Sequence, residues 1–153
     1  VIALQVSILI KKYRKNYYEL FSHTDAEINR GDLTPFVIGT LQLIDQAISI
    51  TSEALENKKA QYAQLLLIVQ KEPRLLLKNK TAFALCNILL QAAVFSDIGV
   101  SVREIQKNLQ VTENTVYSYL KKIPEELVKN DKRVKPYRYY MNLEELINDH
   151  SNI

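Results

Sequence analysis

Ser101-Val-Arg-Glu-Ile-Gln-Lys-Asn-Leu-Gln-Val-Thr-Glu-Asn-Thr-Val-Tyr-Ser-Tyr-Leu-Lys-Lys-Ile123 reads as two short helices joined by a tight turn. Ser101 can cap the first helix, and Glu104, three residues later, completes a capping box. That helix ends near Gln110. A short link through Val111 leads to Thr112, which can cap a second helix running to Ile123. An apolar helix over Thr81 to Phe95 precedes the pair. This order, with a three- or four-residue turn between the last two helices, is a helix-turn-helix.

Pro124 interrupts the helical pattern. Beyond it, Leu127-Val128-Lys129 and Pro136-Tyr137-Arg138-Tyr139-Tyr140-Met141 are rich in strand-forming residues and flank the polar Asn130-Asp131-Lys132-Arg133. That pattern predicts a β-hairpin. A helix-turn-helix followed by a hairpin is a winged helix. Leu143 to Ile147 is expected to close the region as a short helix.

The second helix of the pair is the candidate recognition helix. Val116, Leu120 and Ile123, at i, i+4 and i+7, define its buried face. Asn114, Thr115, Ser118, Lys121 and Lys122 then point outward, where they suit phosphates and base edges. Lys132, Arg133 and Lys135 lie in the hairpin, where a wing meets phosphate. The whole chain carries a net charge of +3. From Ser101 to Tyr140 nine bases face five acids, an excess of +4 that exceeds the total for the chain. Winged helices also serve as protein-interaction or dimerisation modules, so duplex DNA, a protein target and a second copy all stay open as partners.

Upstream, Tyr13 to Phe36 reads as the end of one helix, a turn and the start of another. Tyr13, Tyr17, Leu20 and Phe21 share one helical face. Gly31 can take a positive φ. Thr34 can cap the next helix and Pro35 suits its first turn. From Thr34 to Glu72 the apolar positions are dense, and the polar Glu56-Asn57-Lys58-Lys59 can split this stretch in two. Pro73 should end it.

Tyr17-Tyr18 followed by Gly31-Asp32-Leu33-Thr34-Pro35-Phe36 resembles the part of a Fic domain that follows its catalytic motif. The resemblance covers about Leu4 to Leu41. It implies a parent that transfers AMP from ATP to a hydroxyl of a protein, using Mg²⁺. The catalytic motif of that family resembles H-x-F-x-[D/E]-G-N-G-R and precedes the double-tyrosine helix. Here the glycines are Gly31, Gly39 and Gly99 and the histidines His23 and His150, none in such a motif. The expectation is a non-catalytic fragment of a longer protein, beginning after the catalytic loop, with no cofactor of its own. Where the family usually has Asn or Gln before the arginine, this chain has Tyr13 before Arg14. Ser52, Glu56 and Asn57 match the self-inhibitory [S/T]-x-x-x-E-[G/N] helix of many Fic proteins, in which the glutamate pairs with an active-site arginine. A solvated helix face is the plainer reading of those residues.

Cys86 is the single cysteine, so no internal disulfide can form, and its apolar neighbours favour a buried small hydrophobe. That usage, and the lack of a convincing membrane segment, point to a cytoplasmic protein. No Cys/His/Asp/Glu cluster has metal-ligand spacing. The sequence therefore predicts a mainly α chain: residues 1–73 as the last helices of a Fic-like domain, residues 74–153 as a winged helix with a small hairpin. The competing prediction is a winged-helix transcription regulator with a helical dimerisation region.

Overall fold

A computed structural model describes residues 2–75, 79–96, 98–131, 133 and 135–148. The chain is mainly helical with one three-stranded antiparallel sheet. It divides into two compact units, Val1–Asn57 and Lys58–Ile153. The units meet inside a helix, earlier than the Pro73 at which the sequence suggests a boundary.

In the first unit, Tyr13 separates α1 (Ile2–Lys12) from α2 (Arg14–Asp25). Tyr13 leaves helical geometry at φ −108°, ψ 38°. Its N–H still donates to the Leu9 carbonyl at 2.8 Å, and its own carbonyl accepts from Tyr17 N–H at 3.0 Å. The hydrogen-bond ladder thus crosses the break. α2 runs past His23 to Asp25. Near its end Ser22 donates to the Tyr18 carbonyl and Thr24 to that of Leu20, so these hydroxyls bond back within the helix.

A single 3₁₀ turn, Glu27–Asn29, follows, and both Arg30 (φ 48°) and Gly31 (φ 78°) take left-handed backbone conformations. Glycine alone pays no Cβ penalty there. The long helix α3 (Thr34–Lys71) begins next. Thr34 is its first residue rather than its cap. The Asp32 carboxylate accepts the Thr34 N–H at 2.9 Å, and hydrogen bonds from the Thr34 hydroxyl and then from that N–H hold Asp32 below its usual pKa. Pro35 occupies the first turn, as expected. Glu56 to Lys59 do not split α3, because Glu, Lys and the following Ala60 are good helix formers whose polarity costs nothing in water. Within this unit Tyr17, Phe21 and Phe36 form an aromatic cluster, with the Phe21 and Phe36 ring centroids 4.7 Å apart. A Cβ on Gly39 would lie 2.5 Å from Leu20 Cδ1, so the glycine permits close packing there.

In the second unit α3 stops at Lys71, two residues before Pro73. The buried Glu72 carboxylate closes the turn by accepting from the Arg74 backbone and from its guanidinium at 2.8 and 3.1 Å. α4 (Lys80–Phe95) is capped by Asn79, whose side chain accepts Ala82 N–H at 2.7 Å. It buries Leu85, Cys86, Leu89 and Leu90. Burial pushes the Cys86 thiol up to about 11, so it is a protonated core side chain at neutral pH. β1 (Val100–Ser101) follows, then α5 (Val102–Leu109) and α6 (Glu113–Leu120). The Ser101–Glu104 capping box is formed, and Gln110 makes the turn in the left-handed region. α6 ends at Leu120 rather than Ile123: Lys122 and Ile123 N–H tighten onto the Tyr119 and Leu120 carbonyls ahead of Pro124.

A 3₁₀ turn (Glu125–Leu127) leads into β2 (Val128–Asp131), β3 (Arg138–Met141) and α7 (Leu143–Asn148). The hairpin pairs Val128 with Met141 and Asp131 with Arg138. β1 adds to the other edge of β3, giving the order β1-β3-β2. The core draws Leu65 and Val69 from α3, Ile105 from α5, Val116 from α6, then Leu127, Met141 and Leu146 around α4.

Candidate nucleic-acid interface

The position of α6 follows from its cap and one buried face. Thr112 Oγ1 accepts the Thr115 N–H at 3.3 Å and lies 2.9 Å from the Thr115 hydroxyl. Val116 is fully buried, with Leu120 and Ile123 packed beside it in the core, as their spacing predicts. At 3.6 residues per turn, anchoring that face sets Asn114, Ser118 and Lys121 in one outward line. All three are exposed. Thr115 is only half-exposed and its hydroxyl is engaged in the cap, so it serves α6 itself. Lys122 is exposed, with its ammonium 5.2 Å from the centre of the Tyr119 ring. The Tyr119 hydroxyl accepts from Asn79, tying α6 to the start of α4.

Ion pairs redistribute the basic excess. Arg138 meets Glu104 at 2.6 Å, Lys129 meets Glu144 at 2.6 Å, and Arg103 lies 3.7 Å from Glu113. Arg133 grips Asp131 through Nε and Nη2, both at 3.0 Å, and its N–H bonds the same carboxylate. These bonds hold Asp131 below its usual pKa and raise Arg133. The arginine expected to meet phosphate therefore already has a carboxylate partner. Arg133 is exposed and Asp131 half-buried, and surface pairs of this kind are weak, so an incoming phosphate can compete for the arginine. Among the described residues Lys107, Lys121, Lys122 and Lys135 have no ion-pair partner. Lys121 and Lys122 put much of the uncompensated positive charge at the C-terminal end of α6, and Lys135 adds to it from the hairpin loop. Lys132 lies outside the described residues.

A groove of about 490 Å³ runs between α6 and the hairpin, lined by Tyr117, Leu120, Lys121, Val128, Asn130 and Tyr139 among others. Asn130 and Tyr139 are cross-strand partners. Burial raises the Tyr139 phenol above its ordinary pKa and nearby Tyr117 adds to this, while a hydrogen bond with Asn130 opposes it. Tyr117 is 44% exposed and was absent from the sequence-based candidates. The signal was available, since it lies three residues after Asn114 and four before Lys121.

The remaining candidates occupy ordinary surroundings. Ser52, Glu56 and Asn57 are exposed along α3, and His23 is exposed near the end of α2. His150 lies outside the described residues. A groove of about 370 Å³ in the first unit is lined by Tyr13, Asn16, Tyr17, Gly39, Gln42 and Gln46 among others, side chains that offer amide and phenol groups but no acid or base. Among the described residues no three His, Cys, Asp or Glu side chains gather as a metal site, and no helix is long and apolar enough to cross a membrane. No family model, curated protein or solved structure matches the chain.

Proposed function

We propose that the second unit is a winged helix that binds duplex DNA, with α6 in the major groove and the β2–β3 hairpin against the flanking backbone. The order α4, β1, α5, α6, β2, β3 supports this reading, as does the addition of β1 to the edge of the hairpin. The carrying observation is the outward line of Asn114, Ser118 and Lys121. It is anchored from behind by Val116, and it stands where lysines remain without carboxylate partners. An α-helix about 10–12 Å across fits a major groove about 12 Å wide.

The first unit is proposed to be the non-catalytic end of a Fic-type AMP-transferase whose full-length form uses ATP and Mg²⁺. Residues that carry the resemblance support this: Tyr17 and Phe36 meet in one aromatic cluster, and Gly31 makes the left-handed turn between them. A winged-helix regulator that dimerises through its helical first unit is the alternative.

Fluorescence anisotropy with a random duplex at low salt tests the DNA reading. Binding is expected below ~100 μM protein and should weaken steeply with salt. Lys121→Ala should lower the slope of log K against log salt by about 0.9, one counterion's worth. An absence of binding at ~100 μM would overturn the reading and leave the α6 face as a protein-docking surface.

A further inference from the structure

The outward face of α6 has a centre and two flanks. Asn114 and Ser118 form the centre; Lys121, in line with them at the C-cap, has a side chain long enough to reach past the floor to phosphate. By helical geometry Thr115 and Lys122 lie on one flank and Tyr117 on the other. Tyr117 lines the groove together with Asn130 and Tyr139, so its flank is the one that faces the hairpin. When a helix enters a groove little wider than itself, its central residues meet the base edges on the floor. Its flanking residues meet the walls, which are sugar and phosphate.

The chemistry of Tyr117 suits a wall. Its ring rests partly in the groove, yet the residue is 44% exposed. Among the described residues its hydroxyl has no hydrogen-bond partner, whereas the Tyr119 hydroxyl is engaged by Asn79 and Tyr139 by Asn130. A tyrosine held with few rotamers and a free O–H loses little entropy on binding, and it can donate to an anionic oxygen.

We infer that Tyr117 is a neutral phosphate anchor, gripping the DNA strand that passes between α6 and the hairpin. This rests on the DNA-binding reading above. A phenol carries no charge and releases no counterion, so Tyr117 should contribute affinity without contributing to the salt dependence. That separates it from Lys121, which should contribute to both.

The test is Tyr117→Phe in the full chain, which keeps the ring and removes only the hydroxyl. Anisotropy would be measured with random duplex across a salt series, beside wild type and Lys121→Ala. The expected result is a three- to tenfold loss of affinity for Tyr117→Phe with an unchanged salt slope, against a reduced slope for Lys121→Ala. Because the duplex is random, the loss must hold for a second duplex of unrelated sequence. If wild type binds but Tyr117→Phe binds equally well, the inference fails while the DNA reading stands. If Tyr117→Phe weakens binding to one duplex and not the other, Tyr117 meets a base edge and the inference is again overturned. If wild type binds no duplex, both fall together.

Discussion

The two units bury their apolar residues very differently. In Lys58–Ile153 the core gathers Leu85, Leu89, Leu90, Ile105, Val116, Leu127, Met141 and Leu146, each almost without exposure. In Val1–Asn57 the buried apolar residues among those described are Leu9 and Ala47. Val6, Ile10, Leu20, Phe36, Leu43 and Ile44 are only half-buried, and others stay open to water: Leu4 at 68%, Leu33 at 60% and Leu41 at 58% exposed. At about 1.5–3 kcal/mol for each large side chain fully buried, the second unit gains far more from burial than the first. Helical pattern and stable packing are therefore separate properties. Both units have the pattern, and the second has much the fuller core.

The most severe way to break this comparison is to separate the units. A fragment beginning at Lys58 should keep its helical circular dichroism and unfold cooperatively with heat. A fragment ending at Asn57 should lose most of its helicity, since helices lacking tertiary packing are marginal in water. A cooperative transition in the fragment ending at Asn57 would show that the exposed side chains matter less than their area suggests.

Single substitutions sharpen the contrast. Leu89→Ala, at a fully buried position, should cost about 2–5 kcal/mol in urea denaturation. Leu41→Ala, at a position 58% exposed, should stay within about 0.5 kcal/mol. Equal costs would mean that Leu41 is covered in solution. A smaller effect is expected within the second unit: Ser101→Ala removes the α5 cap and should lower stability by about 1 kcal/mol, read from the same urea midpoint.

The smallest effect is a pH dependence. Glu104 accepts from the Ser101 N–H and hydroxyl at 2.7 Å each and from Arg138, and these contacts hold its carboxyl below its ordinary 4.5. A carboxylate whose folded pKa is depressed contributes its full stability above the unfolded value and loses it as pH falls through the folded one. Stability of the second unit should therefore decline below pH 4.5. Glu104→Gln should flatten part of that decline while lowering stability slightly at neutral pH. The side chain is 52% exposed, so solvent screening keeps the change small, and an unaltered pH profile would show that the box acts through geometry alone.

Features set by near neighbours in the chain were legible in the sequence. The Ser101–Glu104 box, the Thr112 cap, the Gly31 turn and the helix stops ahead of Pro73 and Pro124 all arise from groups a few residues apart. So does the anchoring face of α6, because Val116, Leu120 and Ile123 repeat at the helical period. Other features needed the folded chain. β1 is two residues long, too short to leave a pattern, and exists because β3 offers an edge for Val100 and Ser101. The basic excess was countable, but its cancellation was not, since Arg138 reaches Glu104 only once β3 lies beside the start of α5. Periodicity told which face of each helix prefers burial. Only packing decided whether anything covers it, because that depends on which elements share a core: Leu65 and Val69 of α3 found one, and Leu41 of the same helix did not.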